Sequence, residues 1–285
     1  MEAIQNMSDL RGIDGVQAGV VRQEVCSLST VRRVAAMLDQ DPERWSEGDP
    51  LPRGWQFILL GADTRRSALR GDGFPGLGVP LPDLGLPRLL LGGRTVRYEG
   101  DILVGANLRR ESRLQKLSRK ETTNGPMAIV TLAHELYPAD VARPVLVETQ
   151  TYLLLSAQSG SRKAPEPVTV APPETTKTVV PDDTLLFQYS ALGFNSHRIH
   201  LDRAFARDVE GFPDLVVNGG LATLLLTEFL RTELGGTLTA LTARHVAPLF
   251  CGRPVLLGAE RQDGKWLLRA FDDSGRLAVD IEAEA

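Results

Sequence analysis

Between Gly219 and Leu230 the chain reads G-G-L-A-T-L-L-L-T-E-F-L, and this run restricts the possible folds more than any other. Leu221, Leu224, Leu225, Phe229 and Leu230 fill one broad helical face, while Ala222, Thr223 and Thr227 are small enough to lie against a sheet elsewhere. A helix apolar nearly all round has to be enclosed by protein. It is not a membrane span, because no apolar run in the chain approaches the roughly 20 residues a bilayer requires. Glu228 is its one acid, either an end-of-helix carboxylate or a catalytic one.

The material to enclose it is strands. R-T-V-R-Y from Arg94, D-I-L-V-G-A-N-L from Asp101, A-I-V-T-L-A-H-E-L from Ala128 and V-L-V-E-T-Q-T-Y-L-L-L from Val145 are rich in β-branched and aromatic residues and separated by turn signals. The basic stretch L-R-R-E-S-R-L-Q-K-L-S-R-K-E, from Leu108 to Glu121, reads as the solvated end of a strand pair in preference to a phosphate-binding patch. Ahead of these strands, Ser29 to Leu38 has helical spacing, with Ser29 or Thr30 as its cap, and the passage from Gly48 to Gly93 is a Gly/Pro-rich loop. After residue 158 a Ser, Pro, Thr and Lys-rich linker is expected over residues 159–183. The second half, 184–285, carries the enclosed helix and then G-T-L-T-A-L-T-A-R-H-V, R-P-V-L-L-G-A-E, W-L-L-R-A-F and L-A-V-D-I-E-A, with hairpins at Asp263-Gly264 and Ser274-Gly275.

Faint repeats tie the halves together. Ile102-Leu103-Val104-Gly105-Ala106 recurs as Val255-Leu256-Leu257-Gly258-Ala259, and Arg94-Thr95-Val96 recurs as Arg244-His245-Val246. The expected class is α+β: two copies in tandem, residues 1–158 and 184–285, each an antiparallel sheet wrapped around a helix.

Charge and cysteine usage remove several functions. A formal net charge of −4 argues against general affinity for nucleic acid or an anionic membrane. Cys26 and Cys251 are isolated and form no C-x-x-C, consistent with a reducing compartment. The start M-E-A-I-Q-N-M-S-D-L lacks the regions of a signal peptide, so a cytoplasmic protein is expected. G-D-G-F-P-G matches a nucleotide-binding glycine pattern at Gly71, Gly73 and Gly76, but no strand leads into it and Pro75, Pro80 and Pro82 forbid the helix that should follow. No cofactor is expected. His197 and His200 form an H-x-x-H, but without H-E-x-x-H a metal site is not expected either.

Chemistry concentrates just before the enclosed helix. His200 can gain and lose a proton near neutral pH, and Asp202 caps a short helix behind it. Val216-Val217-Asn218-Gly219-Gly220 leads into the long helix, with Asn218 as N-cap and a Gly pair that makes a tight turn, exposes N–H groups to a carbonyl oxygen, or does both. A proton-transferring imidazole beside a helix N-terminus suits reactions at the carbon next to a carbonyl.

The stretch F-N-S-H-R-I-H-L-D-R-A-F-A, followed by E-G-F-P-D-L-V-V-N-G-G-L, resembles the core motif of the hydroxyacyl-thioester dehydratase type 2 and mesaconyl- or itaconyl-CoA hydratase group, within the wider MaoC-like hot-dog hydratases. G-D-P-L-P-R-G-W-Q-F, D-G-F-P, L-G-G-R-T-V-R-Y and E-T-Q-T-Y resemble the catalytically silent N-terminal hot dog of that group. The resemblance implies a tandem hot-dog fold acting on an acyl-CoA thioester, with a short branched C5 dicarboxyl substrate such as itaconyl-CoA, giving citramalyl-CoA, or mesaconyl-C4-CoA. It places His200 at the base position and Gly219 at the oxyanion position. Asn195 stands where the wider family has Asp, and His197 where it has Asn. Asn195 cannot act as a base, so it is expected to hold the attacking water. Asn218, Gly220 and His197 are expected around the substrate, and Arg198 and Arg203 are candidates for a distal carboxylate or for CoA phosphate.

Two rivals follow from the same features. A hot-dog thioesterase would use the oxyanion helix with Glu228 or another acid directing water, and a non-catalytic acyl-CoA binding subunit would use only the shape. Hot dogs pair through their sheets, so a tandem chain is expected as a monomer or a homodimer.

Overall fold

The computed structural model describes residues 19–122, 125–139, 141–156 and 170–285. Among them, strands occupy Val20–Val25 (β1), Arg88–Tyr98 (β2), Asn107–Thr122 (β3), Gly125–Pro138 (β4), Leu146–Leu155 (β5), Thr175–Val179 (β6), Ala240–His245 (β7), Val255–Gln262 (β8), Lys265–Phe271 (β9) and Leu277–Glu284 (β10). Helices span Leu28–Met37 (α1), Asp183–Leu192 (α2) and Gly219–Glu233 (α3). The strands make one antiparallel sheet in the order β1-β3-β4-β5-β2-β7-β10-β9-β8-β6. Its first five and last five strands mirror each other about the β2·β7 seam, where Gly93 faces Arg244 and Thr95 faces Thr242. This is the tandem α+β arrangement expected, with the two sheets joined edge to edge inside one chain.

Each half opens the same way, with an edge strand and then a ten-residue helix, β1 with α1 and β6 with α2, and the two helices pack on each other. The halves then diverge. The second continues into α3, whose Leu221, Leu224, Leu226, Phe229 and Leu230 are buried and which lies against β8 and β9. At the corresponding place the first half has only short 3-10 turns, the longest being Trp55–Leu59. Enclosure of α3 from Leu221 to Leu230 therefore follows from its all-round apolarity, with a sheet on one side and the first half's loops on the other, and only its last turn reaches solvent.

Several local expectations are corrected. The cap of α1 is Ser27, whose hydroxyl accepts from Thr30 N, two residues before the pair favoured by spacing. Asp101 to Ala106 is not a strand: Leu103 makes an isolated bridge to Pro50, and β3 begins only at Asn107. The basic stretch runs along β3 and is exposed over most of its outer half, but Arg110 within it is 2% exposed, paired with Glu24 at 3.0 Å and donating to the Leu59 and Gly61 carbonyls, with its Nε left without a partner. Alternation along the strand puts Arg110 on the same inward face as Leu108 and Ser112, while Arg113 and Lys116 stay exposed. Part of the expected linker is structured, since Thr175–Val179 forms β6 and pairs with β8; residues 157–169 lie outside the described residues. The Asp263-Gly264 hairpin is as expected, both residues having positive φ. No helix among the described residues is long and apolar enough to cross a membrane.

Candidate active site

The approach to α3 is a short extended piece held from two sides. Val216 bridges Phe250, its N–H donates to the Ile199 carbonyl at 2.9 Å, and its own carbonyl accepts from His200 Nδ1 at 2.7 Å. His200 closes a 3-10 turn, Arg198–His200, and is 7% exposed. Because a carbonyl only accepts, Nδ1 carries the proton, and the Nε2 lone pair is left without a partner among the described residues. Burial, reinforced by the neighbouring His197, pushes the His200 pKa down to about 3, so the ring is neutral at pH 7. A neutral imidazole with a fixed tautomer and an unpaired nitrogen is a proton acceptor.

Three residues beyond Val216 the chain turns into α3. Asn218 occupies the N-cap position but its side chain does not cap: Nδ2 donates to Ser190 Oγ at 3.2 Å, and Oδ1 is buried without a partner. The expected side-chain cap is thus absent, because α2 draws the amide away. Gly219 N and Gly220 N make no backbone hydrogen bond among the described residues and remain available to an oxyanion. A Cβ on Gly219 would meet His245 Nδ1 and Leu91 Cδ2 at 3.2 Å; one on Gly220 would sit 2.1 Å from the Tyr189 hydroxyl. The turn is therefore packed on its outer side by β2, β7 and α2.

The wall opposite comes from the first half. Gly73 has φ +77, and a Cβ there would lie 2.5 Å from the Ser196 carbonyl, so only glycine lets the 72–77 loop press onto residues 196–198. Ser196 Oγ donates to the Gly73 carbonyl and Arg198 N to the Asp72 carbonyl. The glycine pattern that fails as a nucleotide motif serves as this cover. Phe74 packs on His197, whose ring stands edge-on to His200 at 5.5 Å. Burial keeps His197 neutral, with its pKa pushed down to about 4, so its 3.6 Å approach to Asp72 is not an ion pair at pH 7.

Asn195 Oδ1 accepts from His197 N at 3.1 Å, which leaves its NH2 group as donor. Asn195 lines a cavity of about 120 Å³ together with Phe57, Phe74, Arg94, Gln150 and Tyr189. His200 and Gly219 do not line it; Gly220, next to Gly219, abuts two of its lining residues, Tyr189 and Arg94. The two arginines expected to bind substrate lie elsewhere. Arg198 pairs with Asp202 at 2.7 Å and stacks on Phe205, and Arg203 pairs with Asp214 at 2.8 Å. Asp202 caps as expected, accepting from Phe205 N at 3.0 Å.

Sequence reasoning missed His245, Arg94 and Tyr189. His245, on β7, lies against Gly219, and burial drops its pKa to about 3. Its only signal was polarity at a position where a strand passes the helix start. Glu228 is buried, accepting from Trp55 Nε1 at 2.8 Å, Gln40 Nε2 at 2.6 Å and Arg231 at 2.6 Å. It stands nine residues along α3 from Gly219, about 14 Å at 1.5 Å per residue. That distance weighs against its directing water at the turn. Among the described residues no cluster of three or more His, Cys, Asp or Glu is placed to hold a metal.

Comparison with known proteins shows the family and the fold. Residues 54–251 match the family described as Hydroxyacyl-thioester dehydratase type 2. The chain is 32% identical over 266 residues, 93% of its own length and 94% of the other, to the mesaconyl-C(4)-CoA hydratase of Chloroflexus aurantiacus. The crystal structure of HtdX from Mycobacterium tuberculosis superposes with a TM-score of 0.67 at 17% identity, covering 94% of this chain and 99% of that one. A second M. tuberculosis protein, described as having a double hot-dog fold, superposes with a TM-score of 0.55 at 15% identity, covering 94% of each chain. These two likenesses establish the fold as a double hot dog.

Proposed function

Because the chain belongs to the hydroxyacyl-thioester dehydratase type 2 family and is thus an acyl-CoA hydratase/dehydratase, a hydro-lyase, we propose that its substrate is a short branched C5 dicarboxyl enoyl-CoA. Mesaconyl-C4-CoA is the first candidate, supported by the name of the relative 32% identical to it, and itaconyl-CoA, giving citramalyl-CoA, the second. The observation that carries the mechanism is the His200 to Val216 hydrogen bond, which ties the base to a residue three positions ahead of the Gly219 turn.

In the hydration direction, the Gly219 N–H, at the positive end of α3, polarises the thioester carbonyl. Asn195 Nδ2 donates to a water, and His200 Nε2 takes its proton as the water oxygen bonds to the β-carbon. The electron pair of the double bond moves onto the thioester oxygen as an enolate held at Gly219. His200 then returns the proton to the α-carbon. One water is added and no bond to sulfur breaks. Dehydration runs the same steps backwards. The catalytic groups are assigned to the second half, from β6 to β10, and the loops of the first half supply the cover. A monomer suffices in this reading, because the β2·β7 seam already pairs the two hot dogs.

The test is incubation of the full chain with mesaconyl-C4-CoA, itaconyl-CoA and crotonyl-CoA, with products identified by mass. Gain of one water with no release of CoA thiol supports the reading, and its loss by at least about 100-fold in His200→Ala supports the assigned base. Release of free thiol without a hydrated thioester would instead establish thioester hydrolysis.

A further inference from the structure

With Arg198 and Arg203 already paired on the surface, a third arginine is free to meet the substrate. Arg94, in the middle of β2, lines the cavity beside Asn195, and its side chain is 9% exposed. Among the described residues it makes no hydrogen bond; its ionic partner is Glu148 at a long 3.5 Å, and its Nε is buried without a partner. Glu148 divides its oxygens among several donors, accepting from Gln56 at 3.0 Å and Gln150 at 2.7 Å as well as facing Arg94. A guanidinium has five N–H donors, and leaving them idle out of water is costly unless a ligand completes them.

Tyr189 offers a second idle donor. Its hydroxyl makes no hydrogen bond among the described residues, burial raises its pKa so that it stays protonated, and stacking on Phe57 at 4.5 Å fixes the ring. Both donors converge on one point. The Cβ position of Gly220 lies 2.1 Å from the Tyr189 hydroxyl and 3.4 Å from Arg94 Nη2. Gly220 has no side chain, which lets the Tyr189 hydroxyl come close to the turn, and a charged and a neutral donor lining one cavity beside α3 make a receptor for a carboxylate.

We infer that Arg94, assisted by the Tyr189 hydroxyl, receives the free carboxylate of a dicarboxyl acyl thioester and selects that class over monocarboxyl substrates. The inference rests on the hydratase reading above and names what determines its specificity. In mesaconyl-C4-CoA the carboxylate carbon is three bonds from the thioester carbon. With the thioester oxygen on Gly219, the carboxylate falls within reach of groups that flank Gly220.

Two measurements test it. In the wild-type chain, succinyl-CoA, which is saturated and inert to hydration, should inhibit at least about tenfold more tightly than butyryl-CoA. Arg94→Lys and the double variant Arg94→Gln/Glu148→Gln, which leaves no uncompensated carboxylate, should lower kcat/KM for mesaconyl-C4-CoA by about 100-fold while crotonyl-CoA hydration changes less than about threefold. Equal inhibition by the two saturated thioesters, which needs no variant to fold, overturns the inference, and so does a parallel fall on both substrates. If the wild type hydrates neither substrate, the hydratase reading has failed; if it hydrates both without discrimination, only the role of Arg94 has.

Discussion

His200 Nδ1 lies 2.7 Å from the Val216 carbonyl oxygen, and that single contact decides which ring nitrogen can take a proton. Since burial holds the His200 pKa at about 3, far below the ordinary 6.5, the base is already in its active form throughout the neutral and mildly acidic range. The kcat/KM profile is therefore expected to be flat from pH 8 to pH 6, with no inflection near 6.5. A bell or acid limb centred near 6.5 on the folded protein would assign the base to another group.

The Gly220 position yields a prediction with a built-in rescue. A methyl group there would meet the Tyr189 hydroxyl at 2.1 Å, so Gly220→Ala has to displace Tyr189 or tilt the first turn of α3. Overpacking of this kind costs about 1–3 kcal/mol of stability, and a shift of the turn lowers kcat/KM by about 10- to 100-fold. Adding Tyr189→Phe removes the clashing oxygen and is expected to recover most of the lost stability. Urea unfolding of the two single variants and the double variant measures this coupling; strictly additive effects would show that the methyl group and the hydroxyl never meet.

How much of this was legible in the sequence depends on the range of the signal. The apolarity of Leu221 to Leu230, the Gly219-Gly220 break and the polar residues before it are local, and they located α3 and its approach. Arg94 was out of reach because its neighbours come from three separate segments: Glu148 across the β2·β5 pairing, Tyr189 on α2 and Gly220 on α3. The ion pairs of Arg198 and Arg203 are the converse case: both flank the histidines in sequence, and acids only four and eleven residues away pair with them. β6 was hidden because Thr175–Val179 is an exposed edge strand with almost no apolar pattern, visible only through its pairing with β8.

All four histidines are held neutral by burial: His134 and His197 have pKa values pushed down to about 4, and His200 and His245 to about 3. Between these values and 6.5 the unfolded chain binds protons that the folded chain refuses, so the stabilisation is fully present above pH 6.5 and is lost as pH falls below it. One pH unit below 6.5, each group costs on the order of 1 kcal/mol, and the sum is a sizeable part of a typical folding free energy. The urea midpoint is expected to drop clearly between pH 7.5 and pH 5.5. A midpoint unchanged across that range would mean that the histidines are charged or solvated in the folded chain.

Glu228 separates structure from catalysis. It receives Trp55 Nε1 and Gln40 Nε2 from the first half and Arg231 from its own helix, so it fastens α3 to the loops that enclose it. Arg231 is 23% exposed and Glu228 9%, which places the pair between the buried and surface cases. Removing the acid in Glu228→Ala leaves the buried Trp55 indole N–H unsatisfied and strips Arg231 of its ionic partner, a loss of about 2–4 kcal/mol. Because the carboxylate is about 14 Å along the helix from Gly219, the folded variant at low temperature should keep hydratase kcat within about threefold of the parent. Chemical denaturation paired with a turnover assay below the unfolding transition checks both halves of this expectation. A kcat lost by about 100-fold with stability intact would put the acid back in the chemistry and revive the thioesterase alternative.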